Sequence, residues 1–101
     1  MTQPEDLLSI ESSNDDLTAV GEIDAHTAPT LAAAIEGAGP NVRLDLSRVD
    51  FVDSSGLRVL IDSHQRLAEA GGSLTIVSPS HAVQRLFEIS GVETYLTVES
   101  A

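Results

Sequence analysis

An α/β fold with a mixed, mostly parallel sheet follows from three observations on this 101-residue sequence. Short apolar runs of strand character alternate with segments of helical period. The first two runs are joined by a polar turn rather than a helix, which makes them a β-hairpin. Glycine or proline punctuates most of the later junctions. The resulting order is β-β-α-β-α-β-α-β. Its strand-helix-strand units imply right-handed crossovers and parallel pairing, with an antiparallel hairpin strand at one side.

Each element has its own signal. Strands are expected over Leu7 to Glu11 and Leu17 to Gly21, with "SSNDD" as the turn between them. The alanine-rich segment from about Pro29 to Glu36 reads as a helix, stopped by Gly37, Gly39 and Pro40. In "NVRLDLSRV" the residues Val42, Leu44 and Leu46 share one face of a strand. A longer helix begins after "DFVD", with Leu57, Leu60, Ile61, His64, Leu67 and Ala68 forming a stripe at helical spacing. Its other face carries Arg58, Asp62, Arg66 and Glu69, and Gly71-Gly72 ends it with a left-handed cap. "SLTIVS" is a buried strand. Pro79 after Ser78 marks the start of a third helix, with Val83, Leu86 and Phe87 on its inner face. "TYLTV" is the last strand.

Composition narrows the function classes. The length suits one domain spanning residues 1–101, with a core of moderate extent. No cysteine occurs, so disulfides, thiolate zinc sites and thiol redox chemistry are excluded, and an intracellular setting is expected. The N-terminus lacks the basic and apolar regions of a signal peptide, and no apolar run is long enough to span a bilayer, so a cytoplasmic protein is expected. Sixteen acidic residues against five basic ones give a net charge of −11, and every base is arginine. That field repels nucleic-acid phosphates and anionic membranes, and it favours a partner with a basic patch.

The stretch that asks for a functional account is Asp53-Ser54-Ser55-Gly56, where the chain leaves a strand and enters a helix. In parallel sheets, that carboxyl edge is where ligands and chemistry collect. Capping alone is one explanation, because Asp or Ser at a helix start contributes about 1 kcal/mol. A single residue suffices for a cap. Two hydroxyls suggest more, with Gly56 leaving room for an approaching group and the helix start offering free N–H groups to a phosphate. A serine-hydrolase elbow is excluded because Val52 stands where G-x-S-x-G needs glycine. Without lysine there is neither a phosphate-binding loop of the G-K type nor the lysine of phospho-aspartate receivers. His26, His64 and His81 show no metal-ligand spacing, and His64 falls on the apolar stripe. Acyl carrier proteins are also small and acidic with a helix-start serine, but they are all-helical. No metal or cofactor is expected, and no catalytic constellation is present.

The blocks "GEID", "RLDLSRVDFVDSSGLRVLI", "GGSLTIV" and "AVQRLFEISGV", in that order, resemble the STAS domain of bacterial anti-sigma factor antagonists across nearly the whole chain. The resemblance implies a protein that binds an ATP-dependent anti-sigma serine kinase and so releases its sigma factor. It implies phosphorylation of the first serine of the motif, Ser54, and a phosphatase that restores it. By the same resemblance Asp24 helps recognise the partner, Asp53 precedes the acceptor and Ser55 shapes its loop. The partner-binding set is then Asp24, Asp53, Ser54, Ser55 and Gly56. Members often carry a further helix after the last strand, for which Ala101 comes too soon. Independently of the resemblance, Asp24 and Asp53 each follow a strand, so parallel neighbours should bring both acids to one sheet edge. The alternative role for Asp24 is a turn or cap. The alternative function is a STAS module in a stress-signalling scaffold or a lipid or anion transport complex. The intact Ser54 favours the antagonist.

Overall fold

A computed structural model of the chain describes residues 8–99. The strand expected from Leu7 runs as β1, Leu8–Ser13, Leu7 itself lying outside the described residues. It pairs antiparallel with β2, Asp16–Ile23. Only Asn14 and Asp15 separate the two strands, and Asn14 takes a positive φ of 57° at the turn. An asparagine tolerates that conformation better than most residues.

After β2 come α1 (Ala28–Glu36), β3 (Asn41–Val52), α2 (Ser54–Glu69), β4 (Ser73–Val77), α3 (His81–Ser90) and β5 (Thr97–Glu99). The sheet order is β1-β2-β3-β4-β5, with every pair after the first parallel. One sheet face is buried through Leu17, Ala19, Val42, Leu44, Leu46, Leu74 and Ile76. Their alternates Thr18, Val20, Asp45, Thr75 and Val77 remain partly open. Period-2 alternation therefore holds where it was expected, at Val42, Leu44 and Leu46.

Beyond Leu46 the buried residues of β3 fall at Val49 and Val52, three apart. The register with β2 explains this, because it slips between Thr18/Val20 and again between Gly21/Glu22. Each slip inserts one extra residue in β3, and a bulge of this kind bends the strand and re-aims its side chains. β4 pairs with β3 only as far as Asp45. Past that point Ser80 takes over on β3. Its N–H donates to the Leu46 carbonyl at 3.1 Å, and its hydroxyl donates to the Val49 carbonyl at 2.6 Å.

The same Ser80 is the N-cap of α3, its Oγ accepting the Val83 N–H at 3.2 Å. The third helix therefore starts after Ser80, not at Pro79, and Ser78 has a positive φ of 49°. The expected last strand is shorter too. Val92–Tyr95 form a 3-10 turn, and the strand begins at Thr97.

In α2 the buried positions are Gly56, Leu60 and Ser63, so the inward face is turned from the expected stripe. Leu57, Ile61, His64 and Leu67 are half-buried, and Ala68 is exposed. The helix ends as expected. Gly72 N–H donates to the Leu67 carbonyl and Gly71 N–H to that of Ala68, with Gly71 at a φ of 86°. This six-to-one and five-to-two pair is a Schellman cap, which requires the left-handed glycine.

Candidate functional site

Parallel pairing of β2 with β3 ends at Ile23 opposite Val52, and the Asp53 N–H donates to the Ile23 carbonyl at 3.0 Å. The chain therefore leaves both strands side by side, and the next residues are Asp24 and Asp53. The two acids share one sheet edge, as the strand pattern required, and Ser54 follows directly.

Asp53 is the N-cap of α2. Its Oδ1 accepts the N–H of Ser55 at 2.8 Å and of Gly56 at 3.1 Å, while its carbonyl accepts the Leu57 N–H at 3.0 Å. Ser54 is the first helical residue and is exposed, whereas Ser55 is half-buried. The capping carboxylate thus already engages two of the N–H groups that the sequence suggested were free for a phosphate.

Gly56 also departs from expectation. It is buried, and a Cβ there would lie 2.7 Å from Ile23 Cγ2 and 2.8 Å from Val52 Cγ1. Its small size lets α2 settle on the sheet and does not clear space for an approaching partner. Asp24, Asp53, Ser54 and Ser55 meet at the surface, and Gly56 lies beneath them.

Asp24 organises the loop between β2 and α1. Its Oδ1 accepts the backbone N–H groups of His26 at 2.9 Å and Thr27 at 3.0 Å. Thr27 is buried, accepting the Asp24 N–H on Oγ1 at 2.9 Å and donating its hydroxyl to the Glu22 carbonyl at 2.9 Å. The Thr27 N–H is the main reason the Asp24 carboxyl sits below its ordinary pKa; the other donors add to it, and partial desolvation opposes it. Asp24 is therefore a turn cap at the same edge as the motif. The Asp-x-x-Thr spacing was the available signal for Thr27, and the sequence reading passed over it.

Beside Ser54 a shallow groove runs along α2, lined by Ser54, Ser55, Leu57, Arg58, Ile61 and Asp62. Leu57 and Ile61 supply an apolar floor. Arg58 and Asp62 stand at its rim, 4.0 Å apart. The sequence stripe assigned Leu57 and Ile61 to the core, and the turned helix leaves them half-open. The histidines stand apart from this geometry. His26 offers only its backbone N–H to Asp24, His64 Nε2 lies 3.2 Å from Thr97 Oγ1, and His81 is exposed at the start of α3. The arrangement presents an exposed Ser54 at the sheet edge that Asp24 and Asp53 share.

The family model described as Mlab, STAS domain matches residues 7–98. An anti-sigma-B factor antagonist of Listeria monocytogenes is 34% identical over 89 residues, covering 84% of this chain and 78% of that protein. The crystal structure of an anti-sigma factor antagonist from Mycobacterium paratuberculosis superposes with a TM-score of 0.76 at 24% identity, over 100% of this chain and 92% of that one. The Bacillus cell fate determinant SpoIIAA in its phosphorylated form gives a TM-score of 0.64 at 21% identity, over 92% and 91%. At these identities the two structures speak for the fold. The family match over nearly all the described residues, together with the Listeria relative, shows that the chain belongs to the STAS-domain family of anti-sigma factor antagonists.

Proposed function

We propose that this chain, as a single STAS domain over residues 1–101, is an anti-sigma factor antagonist. It is a cytoplasmic binding protein that occupies an anti-sigma serine kinase, frees the sigma factor, and is switched off by phosphorylation of Ser54. The observation that carries the reading is the exposed Ser54 hydroxyl at the sheet edge shared by Asp24 and Asp53. The names of the relatives support it. In the modification, Ser54 Oγ attacks the γ-phosphorus of ATP held by the partner. An Oγ–P bond forms, the bond to the bridging oxygen of the departing ADP breaks, and the hydroxyl proton passes to a base on the kinase. A phosphatase returns the hydroxyl by hydrolysis.

The switch is electrostatic. A phosphate adds about −1.5 to −2 charges to a chain whose net charge is −11. It lands next to an Asp53 carboxylate committed to the helix cap. When a partner closes over this edge, the dianion must shed water beside like charge, which costs several kcal/mol, on the order of a buried unpaired polar group, unless a cation meets it. Ser54 is at the surface, so the fold itself is spared.

The test begins with Ser54→Ala as bait in the native cell to recover the kinase, followed by calorimetry on the purified pair. Ser54→Ala and the unmodified protein should bind alike, and the phosphorylated protein should bind at least tenfold more weakly. Equal affinity for the phosphorylated and unmodified proteins at physiological salt would falsify the mechanism.

A further inference from the structure

Arg58 lies four residues along α2 from Ser54, the spacing that makes side chains neighbours on a helix surface. Both line the same groove, and among the described residues that line it Arg58 is the cation. Little holds the guanidinium in place. Its side chain is 84% exposed, and its contact with Asp62 is 4.0 Å. Arg43 and Arg66, by comparison, sit 3.0 and 3.2 Å from Glu99 and Glu36. At the start of α2 the Ser55 and Gly56 N–H groups, which would otherwise receive an anion, are held by Asp53. A phosphate on Ser54 therefore brings three acceptor oxygens and nearly two charges to a place where two backbone donors are engaged and an exposed, weakly paired arginine stands one turn away.

We propose that Arg58 is a positioning residue for phosphorylated Ser54: its guanidinium leaves Asp62 and pairs with the phosphate. The proposal rests on Ser54 being the modified residue. Its consequence is that phosphorylation changes two charges in the groove together, adding an anion and withdrawing the cation that the unmodified protein offers to an acidic group on a partner. Arginine suits the task because its planar fork meets phosphate oxygens through two parallel N–H groups. Among the described residues the carboxylates at this edge are Asp53 and Asp62 on the same segment and Asp24 on the β2–α1 loop, where His26 is the other titratable group. The carboxylates among them oppose the dianion, so the pairing with Arg58 has a definite sign to read.

Phosphoserine placed at position 54 during translation removes any need for the kinase. Phosphorus NMR then follows the second ionisation of the phosphate in the otherwise unchanged protein, in Arg58→Ala and in Arg58→Lys. A nearby cation favours the dianion, so Arg58→Ala should raise that pKa by about 0.3 unit at low salt, the size an i,i+4 ion pair gives. Arg58→Lys should recover part of the shift, and about 1 M salt should abolish it. In the parent protein the Arg58 Nε–H resonance should move with the phosphate titration. Coincident titration curves for the parent and Arg58→Ala, or a difference indifferent to salt, overturn the pairing. Labelling by the recovered kinase is read separately. If Ser54 is never labelled while the Arg58 shift is present, the pairing stands and the phosphorylation reading falls.

Discussion

Gly56 of α2 backs onto Ile23 of β2 so closely that a single added methyl would sit 2.7 Å from Ile23 Cγ2. The residue that looked like an opening for a partner is a packing contact directly beneath the motif. Two effects oppose each other when alanine replaces it. Alanine in a helix is favoured over glycine by about 1 kcal/mol, whereas overfilling a packed core costs about 1–3 kcal/mol. With Val52 also within 2.8 Å, the crowding should win. Gly56→Ala is expected to lose about 1–2 kcal/mol in urea unfolding and several degrees in Tm, and Gly56→Val more. Stability equal to or above that of the parent would mean that Ile23 and Val52 move aside.

Gly71 and Gly72 are adjacent, yet their substitutions should differ. Gly71 has a φ of 86° with nothing within 4 Å of an added Cβ, so alanine there pays only for the left-handed backbone, about 1 kcal/mol. A Cβ on Gly72 would overlap the carbonyl of Pro40, and backbone has little room to yield. That carbonyl also accepts the Ser73 N–H at 2.8 Å, which sets the start of β4. Gly72→Ala should therefore be the more destabilising by at least 1–2 kcal/mol, an overpacking cost measured by the same unfolding curves. Equal losses would refute the close approach.

The element order was legible because its junctions carry strong signals: the polar hairpin turn, Gly37 to Pro40, and Gly71-Gly72. The meeting of Asp24 with Asp53 was legible for a related reason, since consecutive parallel strands end at a common edge. What escaped was set by contacts between segments distant in sequence. The bulges of β3 depend on its register with β2, so Val49 and Val52 could not be read from a period of two. The cap of Ser80 on Val83 is local and was available, but its bond to Val49, 31 residues earlier, was not. The inward face of α2 turned toward Gly56 and Ser63 because α2 packs close to Ile23 and Val52, and a glycine and a serine give no apolar signal. The groove with Arg58 followed from that turn.

Asp24 gives a pH dependence with a definite sign. Its carboxyl is depressed below the ordinary 3.8, chiefly by the Thr27 N–H. A depressed folded-state pKa means that the ionised form is favoured by folding. The stabilisation is complete above about 3.8 and is lost as pH falls through the lower folded value. Asp24→Asn keeps an acceptor oxygen and removes the charge. Its deficit relative to the parent should hold constant from about pH 7 to pH 5 and shrink below 3.8 in urea unfolding series. A deficit that stays level into the acid range would show that the carboxylate charge contributes nothing to this loop.

Asp53 holds two roles that one pair of substitutions can separate. As the cap it accepts two N–H groups of α2, so Asp53→Ala should cost about 1 kcal/mol, whereas Asp53→Asn keeps the acceptor and should stay within a few tenths of the parent. As a charge it stands next to Ser54, where it repels a phosphate and raises the cost of enclosing it. Asn removes that repulsion. A like-charge pair a few ångströms apart at a surface is worth about 1 kcal/mol or more, so the affinity ratio between unmodified and phosphorylated protein should narrow several-fold in Asp53→Asn. Arg58 limits the effect, because a guanidinium drawn to the phosphate already offsets part of the repulsion. The narrowing that Asp53→Asn produces should accordingly be larger when measured against Arg58→Ala than against the parent. Calorimetry on the phosphorylated and unmodified forms of each variant reads the ratio directly. An unchanged ratio in both backgrounds would leave Asp53 as a cap only, with the switch carried by the phosphate and the partner's own surface.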